Sequence, residues 1–198
     1  MLLGIGLLLA IASIWFIGGK KKEYNLTTTI NARPQQLFPY LVESELKKRW
    51  LTSIVNEELV ASTADVEADR EPVFEENREI NSLININGET LEFKSQVIRY
   101  QQDQTLSIKS QNEDLVLTHF FRLKPKGNST ELVYRKIMKL NGLGRLLAVF
   151  EEDVNQAVLE QEVSRLAQIV ESEVDNSAPL DDEFGSEESA ESFAGEGS

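Results

Sequence analysis

The sequence predicts an α+β protein: an antiparallel sheet curved around one long C-terminal helix, behind a single N-terminal membrane-spanning helix. Three observations predict it. Residues 2–19 carry no charge and run directly into Lys20, Lys21 and Lys22. Residues 23–140 hold a series of alternating, β-branched-rich segments separated by turn residues. Residues 143–170 repeat apolar side chains at helical spacing, with no Pro or Gly after Gly144. Successive antiparallel strands with a helix laid over one face form an α+β layer.

The uncharged run comes first. At a helical rise of ~1.5 Å per residue it covers roughly 27 Å, close to the thickness of a bilayer's hydrocarbon core. Trp15 and Phe16 fall near its lysine end, at headgroup level. Ala10-Ile-Ala12 fits a signal-peptide cleavage pattern, but no basic segment precedes it and the chain stays apolar through Ile17. The three lysines place the rest of the chain in the cytoplasm by the positive-inside rule. The expectation is therefore a single-pass protein of the cell membrane, in contact with the lipid bilayer through residues 2–18. The chain has no cysteine, which excludes a lipidated-cysteine anchor.

Residues 23–31 alternate as a half-buried strand does. Pro34 opens a helical pattern in which Leu37, Phe38 and Leu41 face a core. Ser44 caps a second short helix, 44–51, that ends on Trp50 and Leu51, and Trp50 is expected to be buried. Strands follow at 55–61, 73–86 (whole or broken), 89–100, 105–110, 114–123 and 130–140. The acidic stretch 61–72 reads as a loop. Asn87-Gly88 is a hairpin signal, and residues 125–129 (PKGNS) form a further turn. The last helix is about seven turns long, and its apolar face requires a sheet as partner.

Charge divides the end of the chain from the rest. The net charge is −13, but ten of the 33 acids fall after residue 170 with no base among them. The remaining 23 acids against 20 bases leave only −3. A segment so rich in Ser, Gly and Glu cannot offset its ordering entropy by burial, so residues 173–198 read as a disordered acidic tail. The domains are thus 1–22 (anchor and basic stop), 23–172 and 173–198. No basic stripe exists beyond the lysines of the anchor, which argues against nucleic acid as a partner.

The segment order resembles the START-like superfamily (SRPBCC), whose helix-grip fold is shared by polyketide cyclase/dehydrase and lipid transport proteins. Three pieces carry the resemblance over residues 23–172. The first is Ile30-Asn-Ala32 leading to Pro34, Leu37-Phe38, Leu41 and Trp50. The second is Leu123-Lys-Pro125 through Thr130-Glu-Leu-Val133, with Ser129-Thr130 where the family usually has Gly-Thr. The third is the long helix ending near 166–171. The resemblance implies an apolar cavity between sheet and helix, for a hydrophobic ligand such as a lipid, a quinone or a polyketide-like molecule. It transfers no catalytic residue. Glu45-Leu-Lys-Lys-Arg-Trp50 is also similar to activators of the Hsp90 ATPase, which leaves a protein-interaction module as an alternative. A cyclase- or dehydratase-type enzyme is the third.

Chemistry-bearing residues are few. His119 is the only histidine, so a zinc site would have to rest on one imidazole; no cofactor or metal is expected. Strand parity puts Leu117, His119 and Phe121 on one apolar face, and Arg99 on the face of Leu91, Phe93, Ser95 and Val97. Tyr134 shares a face with Leu132 and Met138. Leu117, Phe121, Phe150 and Val154 are the expected cavity lining, with His119, Arg99 and Tyr134 as its polar end; Arg99 snorkelling and Tyr134 as packing is the alternative. The expected cavity volume is that of ordinary ligand pockets, roughly 300–1,000 Å³.

Overall fold

The computed structural model describes residues 21–86, 88–141 and 152–177. The side chains of 152–155 and 176–177 are not among those described. The predicted membrane span and most of the acidic tail lie outside these residues. Among the described residues no helix is long and apolar enough to cross a membrane.

Seven strands form one antiparallel sheet in the order β1-β7-β6-β5-β4-β3-β2. They are β1 (Lys22–Ile30), β2 (Ile54–Leu59), β3 (Glu79–Ile86), β4 (Glu89–Gln101), β5 (Thr105–Gln111), β6 (Leu115–Lys126) and β7 (Ser129–Leu140). From β2 to β7 the sheet is a simple meander, and β1 closes onto β7. Three short helices, α1 (Pro34–Leu37), α2 (Pro39–Val42) and α3 (Ser44–Trp50), carry the chain from one edge strand to the other. Pro34 and Pro39 open α1 and α2, where a missing amide hydrogen costs nothing. A one-turn helix, α4 (Thr63–Glu67), follows β2. The long helix α5 (Glu152–Ser177) packs against β1 and α3. Its buried stripe is Leu159, Glu162, Val163, Leu166 and Val170.

Turn chemistry sets the register. Ile86 pairs with Glu89, and Gly88 takes the φ of +88° that a tight hairpin turn needs. The turn expected over 125–129 is tighter: β6 runs through Pro125, which faces Thr130, and only Gly127-Asn128 remain unpaired. Gly127 supplies the positive φ there.

Three further differences from the sequence reading concern larger segments. The strand expected from residue 73 begins at Glu79, and Phe74 instead packs on Tyr100 at a ring separation of 5.8 Å. The expected loop 61–72 contains α4. Ser62 caps it by accepting from the Asp65 amide, while the fully buried Asp65 carboxylate accepts from the Ser62 amide, from Arg70 and from Arg78. Arg78 leads the causes that hold this carboxyl below the usual range. Finally, α5 continues past the predicted domain boundary at 172 to Ser177. Glu171 accepts from the Asn31 amide (2.7 Å), and Glu173 accepts from the Tyr40 hydroxyl and pairs with Arg49 (2.6 Å). Glu173 falls in the segment expected to be disordered, yet together with Glu171 it docks the helix on the segment following β1.

Trp50 closes one end of the grip. It is fully buried, its Nε1–H donates to the Tyr40 carbonyl at 2.8 Å, and its ring meets Phe121 and Tyr134 edge-on. Trp50→Ala is expected to destabilise by about 3–5 kcal/mol. Trp50→Phe, which mainly loses the hydrogen bond, should cost about 1–3 kcal/mol. Urea denaturation of the two variants checks the order; equal, near-neutral effects would show that the ring closes nothing.

Candidate functional site: a half-polar cavity in the grip

The concave face of the sheet is built from alternate residues. On β6 these are Leu115, Leu117, His119, Phe121 and Leu123; on β7, Thr130, Leu132, Tyr134, Lys136 and Met138. Register aligns them in rungs. Phe121 faces Tyr134, His119 faces Lys136, and Leu117 faces Met138. The Phe121–Tyr134 rung is stacked at 4.4 Å and covered by Trp50. Beyond it a cavity of about 250 Å³ opens between the sheet, α3 and α5.

The cavity has an apolar part and a charged part. Leu115, Leu117, Ile84, Ile108, Phe121 and Met138 supply most of the apolar wall. His119 and Lys136 border it from the sheet, Glu162 from α5, and Lys47 with Glu57 from α3 and β2. Lys47 Nζ lies 2.6 Å from Glu57 Oε2, with the side chains only 4% and 9% exposed. A pair so buried needs its partner to offset desolvation. The Lys47 ammonium also sits 5.7 Å over the Phe74 ring.

His119 Nδ1 lies 2.7 Å from the Tyr134 hydroxyl. Burial, with smaller contributions from Lys136 and Lys47, pushes the imidazole down to about 3, so it is neutral at pH 7. Burial, and then Glu162, raises the Tyr134 phenol well above its usual value. Glu162 is 3% exposed, and among the described residues its Oε2 has no hydrogen-bond partner. Burial favours its protonated form, opposed in part by Lys136 and Arg165. On the far side of the cavity a hydroxyl chain crosses three strands. Ser95 donates to Ser110 (2.7 Å), so Ser82, at 2.9 Å, donates to Ser95. The Ser110 proton is left at the cavity wall.

Leu117, Phe121 and His119 therefore border the cavity, and Tyr134 stands directly behind His119. Arg99 does not. A β-bulge at Ile98 inserts one residue between Val97 and Arg99 on β4. It reverses parity, turning Tyr100 toward Phe38 and Phe74 and leaving Arg99 exposed. Phe150 lies outside the described residues, as does the side chain of Val154. Sequence reasoning missed every charged residue of the cavity, Lys47, Glu57, Lys136 and Glu162, and most of its apolar wall, including Ile84, Ile108, Leu115 and Met138. Among the described residues no cluster of His, Asp or Glu could hold a metal ion.

No family model matches the chain, and no curated protein matches it. Solved structures do. A START superfamily protein from Mycobacterium smegmatis aligns with a TM-score of 0.54 at 15% identity, covering 78% of this chain and 97% of that one. This is the START-type helix-grip fold. Protein TTHA0849 of Thermus thermophilus aligns with a TM-score of 0.58 at 16% identity, and Ara h 8.0201 with 0.54 at 14%. Each of these covers 77% of this chain and 99% of its own. Identities so low establish the helix grip and nothing about what it holds.

The neutral His119 predicts a pH dependence of folding. Its folded value lies below the ordinary value of 6.5, so its contribution is present above pH 6.5 and lost as pH falls toward 3. Between pH 7 and pH 4 the chain should lose up to about 3 kcal/mol from this group. His119→Gln keeps a hydrogen-bonding side chain that cannot titrate, so urea midpoints should fall less in the variant over that interval. An identical fall would show that the ring is free to protonate in the folded state.

Proposed function

We propose that the chain is a membrane-tethered, non-catalytic binding protein for a small hydrophobic molecule. The cavity carries this reading. A grip filled by side chains would favour a protein-interaction module; here about 250 Å³ between sheet and helix is left open, with an apolar wall and a few convergent polar groups. The volume falls below the roughly 300–1,000 Å³ expected from ligand pockets in general, because charged side chains and the aromatic rung occupy one end. That volume favours a medium-chain lipid or a compact ring over a full-length phospholipid.

His119 inside the cavity favours a second reading, an acid/base enzyme of cyclase or dehydratase type. Its basicity argues against it. An imidazole that protonates only near pH 3 is a weak base and supplies almost no acid at pH 7. Binding, driven by apolar area at roughly 25 cal/mol per Å² before association costs, asks nothing of that group.

The tether rests on the uncharged residues 2–19 and the three lysines that follow. It would hold the cavity beside a bilayer, the source of hydrophobic ligands, with the domain in the cytoplasm. A reporter that works only in the cytoplasm should be active when fused to the C-terminus. Activity of an export-dependent reporter at that position instead would reverse the orientation.

Native mass spectrometry and solvent extraction of the full chain test the ligand reading. An apolar molecule should copurify, or a medium-chain fatty acid or a short-tailed quinone should bind at one equivalent. Met138→Trp, which fills the cavity from β7, should abolish this while keeping the unfolding free energy from urea titration within about 1–3 kcal/mol of the parent. Undiminished binding in the variant would place the ligand elsewhere.

A further inference from the structure

The charged side of the cavity is unbalanced in a way that specifies the ligand's head. Lys47 is matched by Glu57. His119 is neutral and engaged with Tyr134. Lys136 lines the cavity, yet among the described residues its ammonium has no hydrogen bond and no carboxylate within ion-pair distance. Across from the sheet, Glu162 borders the same cavity, and among the described residues its buried Oε2 lacks a partner. Unsatisfied buried polar atoms are rare enough in folded proteins to need an explanation, and a ligand group is one.

We infer that the cavity takes an amphiphile with a single carboxylate head, seated between Lys136 on β7 and Glu162 on α5, with its apolar tail along Leu117, Met138 and Leu115. This rests on the ligand-binding reading above and names the ligand's class. With Glu162 in its acid form, Lys136 supplies one positive charge that no carboxylate among the described residues pairs, matching a monoanion; a phosphate monoester brings about −1.5 to −2 and would leave charge unpaired. Glu162 then acts through its acid form. Its O–H donates to the ligand carboxylate, so two carboxyl groups share one proton, and burial already favours that form of Glu162. Register supplies the direction of the tail. The His119–Lys136 rung lies next to the closed aromatic rung, and the Leu117–Met138 rung and Leu115 follow on the other side. A head at Lys136 therefore sets the chain that trails from it along the apolar wall of Leu117, Met138 and Leu115.

Calorimetric titration of the full chain with decanoate, decanol and decylamine, each below its micelle concentration at pH 7, tests this. Decanoate should bind at least tenfold more tightly than decanol or decylamine. Lys136→Met should weaken decanoate at least tenfold and leave decanol unchanged, which also shows that the variant is folded. Glu162→Gln mimics the protonated acid and should keep decanoate affinity within about threefold or improve it. Equal affinity for decanoate and decanol, tighter binding of decylamine, or decanoate binding indifferent to Lys136→Met overturns the carboxylate assignment while leaving an apolar-ligand site. Failure of all three amphiphiles to bind removes that site as well.

Discussion

The Trp50 ring decides where this grip is solid and where it is hollow. It lies at the end of α3, immediately before the edge strand β2, and fills the space over Phe121 and Tyr134. Through Nε1 it also fixes the Tyr40 carbonyl. Tyr40 in turn donates its hydroxyl to Glu173 near the end of α5, where Arg49 pairs with the same carboxylate. One buried indole thus ties together the helical crossover, the sheet and the long helix. Deleting it would free roughly the volume of a ligand at the wrong end of the fold. With it in place, the next rung outward can carry polar side chains facing open space.

Those polar side chains are costly to stability. A buried Lys–Glu pair gains little over apolar packing of similar volume, and an unpartnered carboxyl on the inner face of a helix is worse. His119 is held neutral at the expense of acid stability. Apolar residues at Lys47, Glu57, Lys136 and Glu162 would give a more stable protein with a filled grip. Local departures from good packing that concentrate around one cavity are what a binding site looks like in energetic terms.

The residues that define the fold were largely legible. Alternation located most of the strands, Gly88 marked the break between β3 and β4, and Trp50 at the end of a short helix pointed to a buried ring. The site was legible in part, and the failures have two causes. Bulges cannot be read from periodicity, because they arise from pairing with the neighbouring strand. The one at Ile98 turns Arg99 outward, and the shift between Ile54 and Asn56 turns Glu57 inward. Lys136 and Glu162 are a different matter. Lys136 lies between Tyr134 and Met138 on a face already assigned to the core, and Glu162 lies among Leu159, Val163 and Leu166 on the buried stripe. Lys47 is one helical turn from Trp50. Charged residues in phase with a core face are a site signal, and selecting only the apolar members of each face discards it. The capping pattern Ser62-x-x-Asp65 was equally present in the sequence and marks the short helix in the supposed loop.

The proposed function depends on an apolar molecule occupying the hollow end of the grip. Methyl-selective NMR of the full chain during titration with a medium-chain amphiphile reads that most directly. The methyl signals of Ile84, Ile108, Leu115, Leu117 and Met138 should shift together and saturate at one equivalent, while those of Leu37, Leu41 and Leu132 in the solid core stay in place. Shifts spread evenly over both groups, or none at a ligand concentration well above millimolar, would contradict it.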